Sequence, residues 1–359
     1  MTRPLDLVFF GLSLSSSWGN GHATTYRALL KGLARAGHRV LFLECDKPWY
    51  APRRDLVDPP FCDFALYDGI DDLAAWSDRI AAADAVIVGS YVPDGIALLD
   101  HLQPRARRLV FYDIDTPVTL GALDRGHCDY LAARQLRELD LYLSFAGGAT
   151  LRRLQELGAR RAEALYCSVD PGLYHPIDIP PRWDLGYLGT YSPDRQPGLE
   201  ALLLEPARRL PHLRFVVAGA QFPEGTRWPQ NVTHIEHIPP AGHAEFYNAQ
   251  RFTLNLTREA MRALGHAPSV RLFEAGACGT AILSDRWTGI DEVLPEGKAI
   301  ILADGPDDVV AALSLPDGAR RSLARSAREA VLARHTGEAR ARDLTALLGS
   351  IPARKEFSL

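Results

Sequence analysis

The strongest constraint in this sequence is an alternation that occurs twice. Short apolar runs, of the kind found in strands buried on both faces, alternate with stretches of helical periodicity. In the first half LDLVFFG (5–11), RVLFLE (39–44), DAVIVGS (84–90), RLVFYDI (108–114) and LDLYLSF (139–145) read as strands. A helix is expected over 23–36, with Leu29, Leu30 and Leu33 on one face and Gly37 as its stop. Further helices are expected near 71–83, 94–102, 128–138 and 148–157. The segment SVDPGLYHPIDIPPR (168–182) holds four prolines and can continue neither a helix nor a central strand. The alternation then restarts, with strands at 183–189, 213–219, 231–237, 251–257, 280–285 and 298–304. Helices fall near 197–209, 241–249, 270–278 and 305–314, and the tail 317–349 is largely helical. Strands of this type interleaved with helices imply parallel sheets covered by helices, an α/β protein. The expected organisation is a first domain over 1–167, a hinge over 168–182, a second domain over 183–335, and a C-terminal helix and tail over 336–359 that packs back on the first domain. Two such halves are expected to face a cleft at the carboxyl ends of their strands, where α/β sheets bind ligands.

Composition narrows the function. A chain of 359 residues fits two domains of roughly 100–200 residues each. Hydrophobic residues make up 47 % and charged residues 23 %, which excludes a disordered chain. A net charge of −4 argues against a general basic grip on nucleic acid. The five cysteines (Cys45, Cys62, Cys128, Cys167, Cys278) are scattered and never spaced as C-x-x-C, which argues against a disulfide framework and a zinc site. They read as free thiols in a reducing cytosol. The run Leu5–Leu14 contains Asp6 and leads to no small-residue cleavage site, so it reads as a buried strand and not as a secretory signal. No stretch approaches the ~18 apolar residues of a membrane span.

Three places could carry chemistry. The first is the loop Ser13–His22 after strand one. Its Gly19-Asn20-Gly21-His22-Ala23-Thr24 partly matches a dinucleotide fingerprint, with Glu44 ending strand two, but Thr24 stands where that motif has its third small residue. The loop is a nicotinamide-cofactor site, a glycine-rich turn without a ligand, or a loop that faces the expected cleft and touches substrate. In the last case His22 is a candidate base. The second place is the end of strand RLVFYDI. Asp113 and Asp115 alternate on an extended chain and are expected to reach one side, where a carboxylate can orient or deprotonate an acceptor hydroxyl. The alternative is that both cap the following turn or helix.

The third place is LNLTREAMRALGHAPSVRLFEAGACGTAILSD (254–285). Ser269 is expected to cap a short helix that Gly279 ends. Arg271 and Glu274 are three apart near its start. Glu274 can accept two hydrogen bonds from a vicinal diol such as a ribose, and Arg271 or Arg258 can bind a phosphate in bidentate fashion. The alternative is a surface Arg271–Glu274 pair, worth only about 0.3–0.5 kcal/mol.

At this segment the sequence resembles the donor-site helix of glycosyltransferases with two Rossmann-like domains, the GT-B fold. It is similar above all to the spore-maturation CgeB-like proteins, through SVRLFEAGACGTAILSD, LGTY (188–191), FYNAQRFTLNLTR (246–258) and WTGIDEVLPEGKAIIL (287–302). FYDIDTPVTL, LYLSFAGG and LYCSVDP in the first half are similar to phrases of the same group. The resemblance implies a soluble, cytoplasmic sugar transferase, with the nucleotide-sugar donor on the second domain and an unidentified acceptor on the first. In larger retaining relatives two glutamates eight positions apart mark the donor site. Glu274 matches the second, which implies a ribose contact, and His266 stands at the position of the first. The resemblance makes Arg195 the candidate pyrophosphate residue, with Arg258, Arg271, Ser192, Asn255 and Ser269 as companions. Gly147 and Gly148, like Gly19 and Gly21, are expected in loops that approach phosphates. Asp115, His22 and Asp113 are the candidates for acceptor activation. No metal or resident cofactor is expected, since such folds stabilise a leaving diphosphate with cations and helix N-termini. Asp113-Ile114-Asp115 has the spacing of a metal motif, but lies on the acceptor side.

Overall fold

The computed structural model describes residues 3–18 and 21–354. They form two compact units. The first is built from the chain up to Ser168 together with Thr336 onward, and the second is Val169–His335.

The sheet of the first unit contains β1 (Asp6–Gly11), β2 (Arg39–Cys45), β3 (Asp63–Tyr67), β4 (Ala85–Gly89), β5 (Leu109–Asp113), β6 (Leu141–Ser144) and β7 (Ala162–Ala164). All neighbours pair in parallel, in the order β3-β2-β1-β4-β5-β6-β7. The central strands are the apolar runs. The two edge strands were not expected from sequence. DFALY is half-exposed along most of its length, and AEA has only three residues, so neither presents a buried run. The helices are α1 (His22–Arg35), α2 (Ser77–Ala82), α3 (Gly95–Leu102), α4 (Thr116–Asp124) and α5 (Ala149–Glu156). The helix expected near 128–138 is only a 3-10 turn over Ala133–Glu138, and the α-helix lies earlier, at α4. Pro117 sits in the first turn of α4, where its missing N–H costs nothing, so it starts a helix instead of breaking one. The core packs Phe9, Phe42, Tyr26, Leu29, Leu33 and Ile87 with Leu344 and Leu348.

The sheet of the second unit contains β8 (Trp183–Leu188), β9 (Phe215–Ala218), β10 (Val232–Ile235), β11 (Gln250–Asn255), β12 (Ala281–Ser284) and β13 (Ile301–Leu302), all parallel, in the order β10-β9-β8-β11-β12-β13. Its helices are α6 (Gln196–Leu199), α7 (Glu205–Arg209), α8 (His243–Asn248), α9 (Glu259–Leu264), α10 (Val270–Cys278), α11 (Ile290–Val293), α12 (Pro306–Leu313) and α13 (Asp317–Arg334). Between α6 and α7 the helix widens into a π turn over Glu200–Leu204, next to Pro206, which has no N–H to give to the preceding turn. Residues 170–182 carry no helix or strand.

Helix α14 (Gly337–Gly349) packs on α1 in the first unit. The contact is backbone on backbone. A Cβ added at Gly32 would lie 2.3 Å from the carbonyl oxygen of Gly337, and one at Gly337 would lie 1.9 Å from that of Ala28. Among the described residues no helix is long and apolar enough to cross a membrane.

Both sheets reverse their strand order once, between β1 and β4 in the first unit and between β8 and β11 in the second. In open α/β sheets the loops beyond the carboxyl ends of such a pair form the ligand-binding crevice.

Candidate functional site

In the second unit the loops at this reversal carry arginines. Arg195 follows β8 and Arg258 follows β11, while Arg271 lies on the first turn of α10. Burial first, then the neighbouring Arg271 and Arg258 charges, lower the pKa of Arg195 from the ordinary guanidinium value. Three like charges therefore converge, and a guanidinium stays protonated even so. Arg195 donates one NH2 to the Thr190 carbonyl at 2.7 Å, and its buried Nε has no acceptor among the described residues. Arg258 is exposed at the start of α9.

Arg271 is partly committed. Its Nε donates to the Leu188 carbonyl at 2.6 Å and one terminal nitrogen to Asn255 Oδ1 at 3.0 Å, which pins the start of α10 to the ends of β8 and β11. The other terminal nitrogen passes Gly189, where a Cβ would come within 2.9 Å of it. Asn255 is a correction to the expected donor contacts. It is fully buried, accepts from Ser269 Oγ at 2.8 Å as well as from Arg271, and donates to Ser284 at 2.8 Å and Thr257 at 3.3 Å. Every hydrogen-bonding position of its amide is used inside the protein. Ser269 stands before α10 as expected, but its hydroxyl goes to Asn255 and not to the helix N–H groups. Ser192 donates to Asp194, which also accepts from the Glu259 N–H at 2.9 Å and so ties the loop after β8 to α9.

Glu274 lies on α10 and is only 6 % exposed. It is not the solvent-facing partner of Arg271 considered from the sequence. Its Oε2 accepts from the Tyr247 hydroxyl at 3.0 Å, and the Tyr174 hydroxyl faces the same carboxylate. His266, at the position of the first family glutamate, has a left-handed backbone (φ 46°) and pairs with Glu292 at 3.2 Å. Two further features flank the arginines. Tyr191 after β8, Phe222 and Trp228 after β9, and His234 within β10 form an aromatic cluster, with Trp228 and His234 stacked at 4.9 Å. A cavity of about 530 Å³ is lined by Arg195, Thr257, Arg262, Asp285, Arg286 and Asp304.

In the first unit the reversal brings together residues from three loops. His22 opens α1 after β1, Tyr91 follows β4, and Asp115 follows β5. The Tyr91 hydroxyl donates to Asp115 Oδ2 at 3.1 Å, and its ring meets that of His22 edge-on at 5.4 Å. Tyr91 holds a positive φ of 62°, a strained state for a tyrosine that turns the loop sharply here. Burial lowers the pKa of His22 to about 4, so the imidazole is neutral at physiological pH, and its buried Nδ1 has no hydrogen-bond partner among the described residues.

Asp113 is the second correction. It does not share an open side with Asp115. Its side chain is fully buried and accepts from Tyr142 at 2.5 Å, Thr119 at 2.8 Å and the Asp115 N–H at 3.2 Å. Burial raises its pKa to about 6 against these hydrogen bonds. The chain leaves the extended conformation after β5 to start α4, so strand alternation ends between the two carboxylates. Glu44 likewise faces inward. It is buried and accepts from the backbone N–H groups of Leu14 and Ser15 at 2.6 and 2.9 Å, which organises the loop after β1 and leaves no carboxylate for a cofactor ribose.

Gly21 is exposed and precedes α1, while Gly19 lies outside the described residues. Gly148 precedes α5 with φ 56°, which suits glycine, and Gly147 is buried beside it. Tyr91, Tyr174 and Tyr247 were missed from sequence. Tyr91 had one signal, its place just beyond an apolar strand, while the other two had none beyond burial. Among the described residues no group of three or more His, Cys, Asp or Glu side chains is placed to hold a metal ion.

Residues 195–346 match the protein family described as glycosyl transferase-like. No curated protein matches the chain by sequence. Among solved structures, the chain is similar to an alpha-glucosyltransferase in complex with UDP-glucose and DNA containing an abasic site (TM-score 0.72, 13 % identity, covering 97 % of this chain and 100 % of that one). It is similar to a sucrose-phosphate synthase from Thermosynechococcus elongatus (0.68, 14 %, 96 % and 98 %) and to HepE of Anabaena in complex with UDP and glucose (0.65, 11 %, 97 % and 100 %). The chain has the GT-B fold of these glycosyltransferase structures, with two Rossmann-like parallel-sheet domains.

Proposed function

We propose that this protein is a glycosyltransferase that moves a sugar from a nucleotide sugar to an acceptor hydroxyl, with a UDP-sugar as the first donor to test. The observation that carries this reading is the convergence of Arg195, Arg258 and Arg271 at the strand reversal of the second unit, inside the segment that matches the glycosyl transferase-like family. As the bond from the anomeric carbon to the diphosphate oxygen breaks, negative charge grows on the leaving group. Fixed guanidinium donors stabilise that charge without reorganising. Glu274 accepts hydrogen bonds from the ribose, and the aromatic cluster around Trp228 offers a flat face to the base. In the first unit Asp115 takes the proton of the acceptor hydroxyl as its oxygen bonds to the anomeric carbon, with Tyr91 against it and His22 against the Tyr91 ring as a neutral acceptor. The residues shared with the CgeB-like proteins, notably FYNAQRFTLNLTR, support membership of that group, and the unpaired cysteines suit a cytoplasmic protein.

A panel of nucleoside diphosphates and their sugars tests this by thermal shift. A ligand present at 100 times its dissociation constant raises stability by about 2.7 kcal/mol. Glu274→Ala should abolish the shift while circular dichroism stays unchanged. A wild type that no nucleotide or nucleotide sugar stabilises refutes the donor role. The histidine at position 266 favours a second reading, a nucleotide-sugar-binding protein without turnover. Donor binding with no nucleoside diphosphate released, across a broad set of acceptors and in water alone, would favour it, whereas release in water without any acceptor would indicate a hydrolase.

A further inference from the structure

We propose that Tyr247 and Tyr174 are positioning residues that aim the Glu274 carboxylate, and that through it they make the site prefer a ribonucleotide to a deoxyribonucleotide; this rests on the donor role proposed for Glu274. The starting point is an oddity of α10. Residues Leu272–Cys278 are all buried, and one of them is a glutamate. A buried carboxylate is costly unless it is hydrogen-bonded or paired. Among the described residues no arginine, lysine or histidine forms an ion pair with Glu274, and Arg271, three residues earlier, is turned to Leu188 and Asn255.

What stabilises the carboxylate instead is phenol. Tyr247, fully buried on α8, donates to Oε2 at 3.0 Å. Tyr174, 4 % exposed, approaches from the segment before β8. The two phenols differ from a cation in one respect that matters. They are neutral, so they fix the carboxylate and leave its full negative charge for a ligand. Burial and the carboxylate itself push both phenols above their ordinary range, which keeps them protonated donors.

Counting lone pairs then restricts the ligand. A carboxylate offers about four acceptor sites; the Tyr247 hydroxyl fills one and the Tyr174 hydroxyl faces another. The remainder can be satisfied only by groups that donate, and a vicinal diol supplies two O–H donors in adjacent positions. A 2′-deoxyribose supplies one fewer and leaves part of a desolvated carboxylate unpaired. The two tyrosines should not be equal. The Nε2 of His243 donates to the Ile238 carbonyl at 3.1 Å, so its Nδ1 is a bare acceptor, 3.5 Å from the Tyr174 hydroxyl. That imidazole competes for the Tyr174 proton, and Tyr247 is the stronger hold.

The test is calorimetric titration of the full-length chain with UDP and with 2′-deoxy-UDP, on the wild type, Tyr247→Phe, Tyr174→Phe, Glu274→Gln and the Tyr247→Phe/Glu274→Gln double variant. The wild type should bind UDP more tightly than 2′-deoxy-UDP. Tyr247→Phe should weaken UDP by about 2- to 10-fold, the size of one lost hydrogen bond, and 2′-deoxy-UDP by less, so that the preference narrows. Tyr174→Phe should do the same to a smaller extent. Tyr247→Phe should add nothing once Glu274 is already glutamine. If both nucleotides weaken equally and the effect adds in full to that of Glu274→Gln, the phenol merely supports the fold and the assignment is overturned. Unchanged affinity in Tyr247→Phe and Tyr174→Phe overturns it as well. A wild type that binds neither nucleotide overturns the donor role and this assignment with it.

Discussion

The Tyr91 hydroxyl lies 3.1 Å from Asp115 Oδ2, while Asp113, two residues before Asp115, is enclosed by Tyr142 and Thr119. One carboxylate is thus presented by a loop and the other is walled in. Asp115→Asn should lower the turnover of sugar transfer by about 10²-fold or more, the usual worth of a general base, and leave nucleotide affinity unchanged. Tyr91→Phe should cost less. Steady-state kinetics beside calorimetry separates the two effects, and full turnover in Asp115→Asn would remove the acid–base role.

Asp113 and His22 should make opposite contributions to the pH dependence of stability. The folded pKa of Asp113 is raised to about 6, so folding holds a proton that the unfolded chain releases. Its contribution is complete below the unfolded value near 4 and is lost as pH rises to about 6, amounting to about 3 kcal/mol. For His22 the folded pKa is lowered to about 4, so stability is lost as pH falls from 6.5 toward 4. The two slopes oppose each other between pH 4 and 6. Asp113→Asn should remove the loss on raising pH and His22→Gln the loss on lowering it, as read by urea unfolding across that range. Parallel profiles for the wild type and both variants would contradict these shifts.

The three arginines should separate by what else they hold. Arg258 is exposed and Arg271 is knitted to two strand ends. Arg258→Ala should weaken nucleotide binding at unchanged melting temperature. Arg271→Ala should weaken binding and also destabilise the fold by about 1–3 kcal/mol, because it takes the side-chain donor from the Leu188 carbonyl and one of the two donors from Asn255 Oδ1. Equal melting temperatures for the two variants would refute the distinction.

Gly32 and Gly337 let two backbones touch, and neither carbonyl can move without its helix. Gly337→Ala should destabilise the protein by about 1–3 kcal/mol or more, the usual cost of overpacking. Gly349→Ala, where a Cβ meets nothing within 4 Å, should be tolerated, and unfolding midpoints of the pair check this.

The central strands were legible because burial on both faces writes itself as an unbroken apolar run. β3 and β7 were not, because an edge strand needs no such run. α4 was missed because Pro117 reads equally as a breaker and as a helix start. Helix α10 and its Arg271 and Glu274 were legible from local spacing and resemblance, yet the partners of that glutamate come from residues 247 and 174, and nothing local encodes their approach. The same holds for Tyr91, which meets Asp115 only because β4 and β5 are neighbours in the sheet. Asp113 was misread because strand alternation was carried two residues past the end of the strand, to Asp115.

Helix α14 has a consequence for biogenesis. Since it covers α1, the first unit is discontinuous in sequence, with Val169–His335 inserted between its parts. On the ribosome the inserted unit emerges whole and can fold as one segment. The amino-terminal portion, although synthesised earlier, must wait with the α1 face at Gly32 uncovered until α14 has been made. A nascent chain halted near His335 would therefore expose that face to chaperones, and the unit made first would be the last to mature.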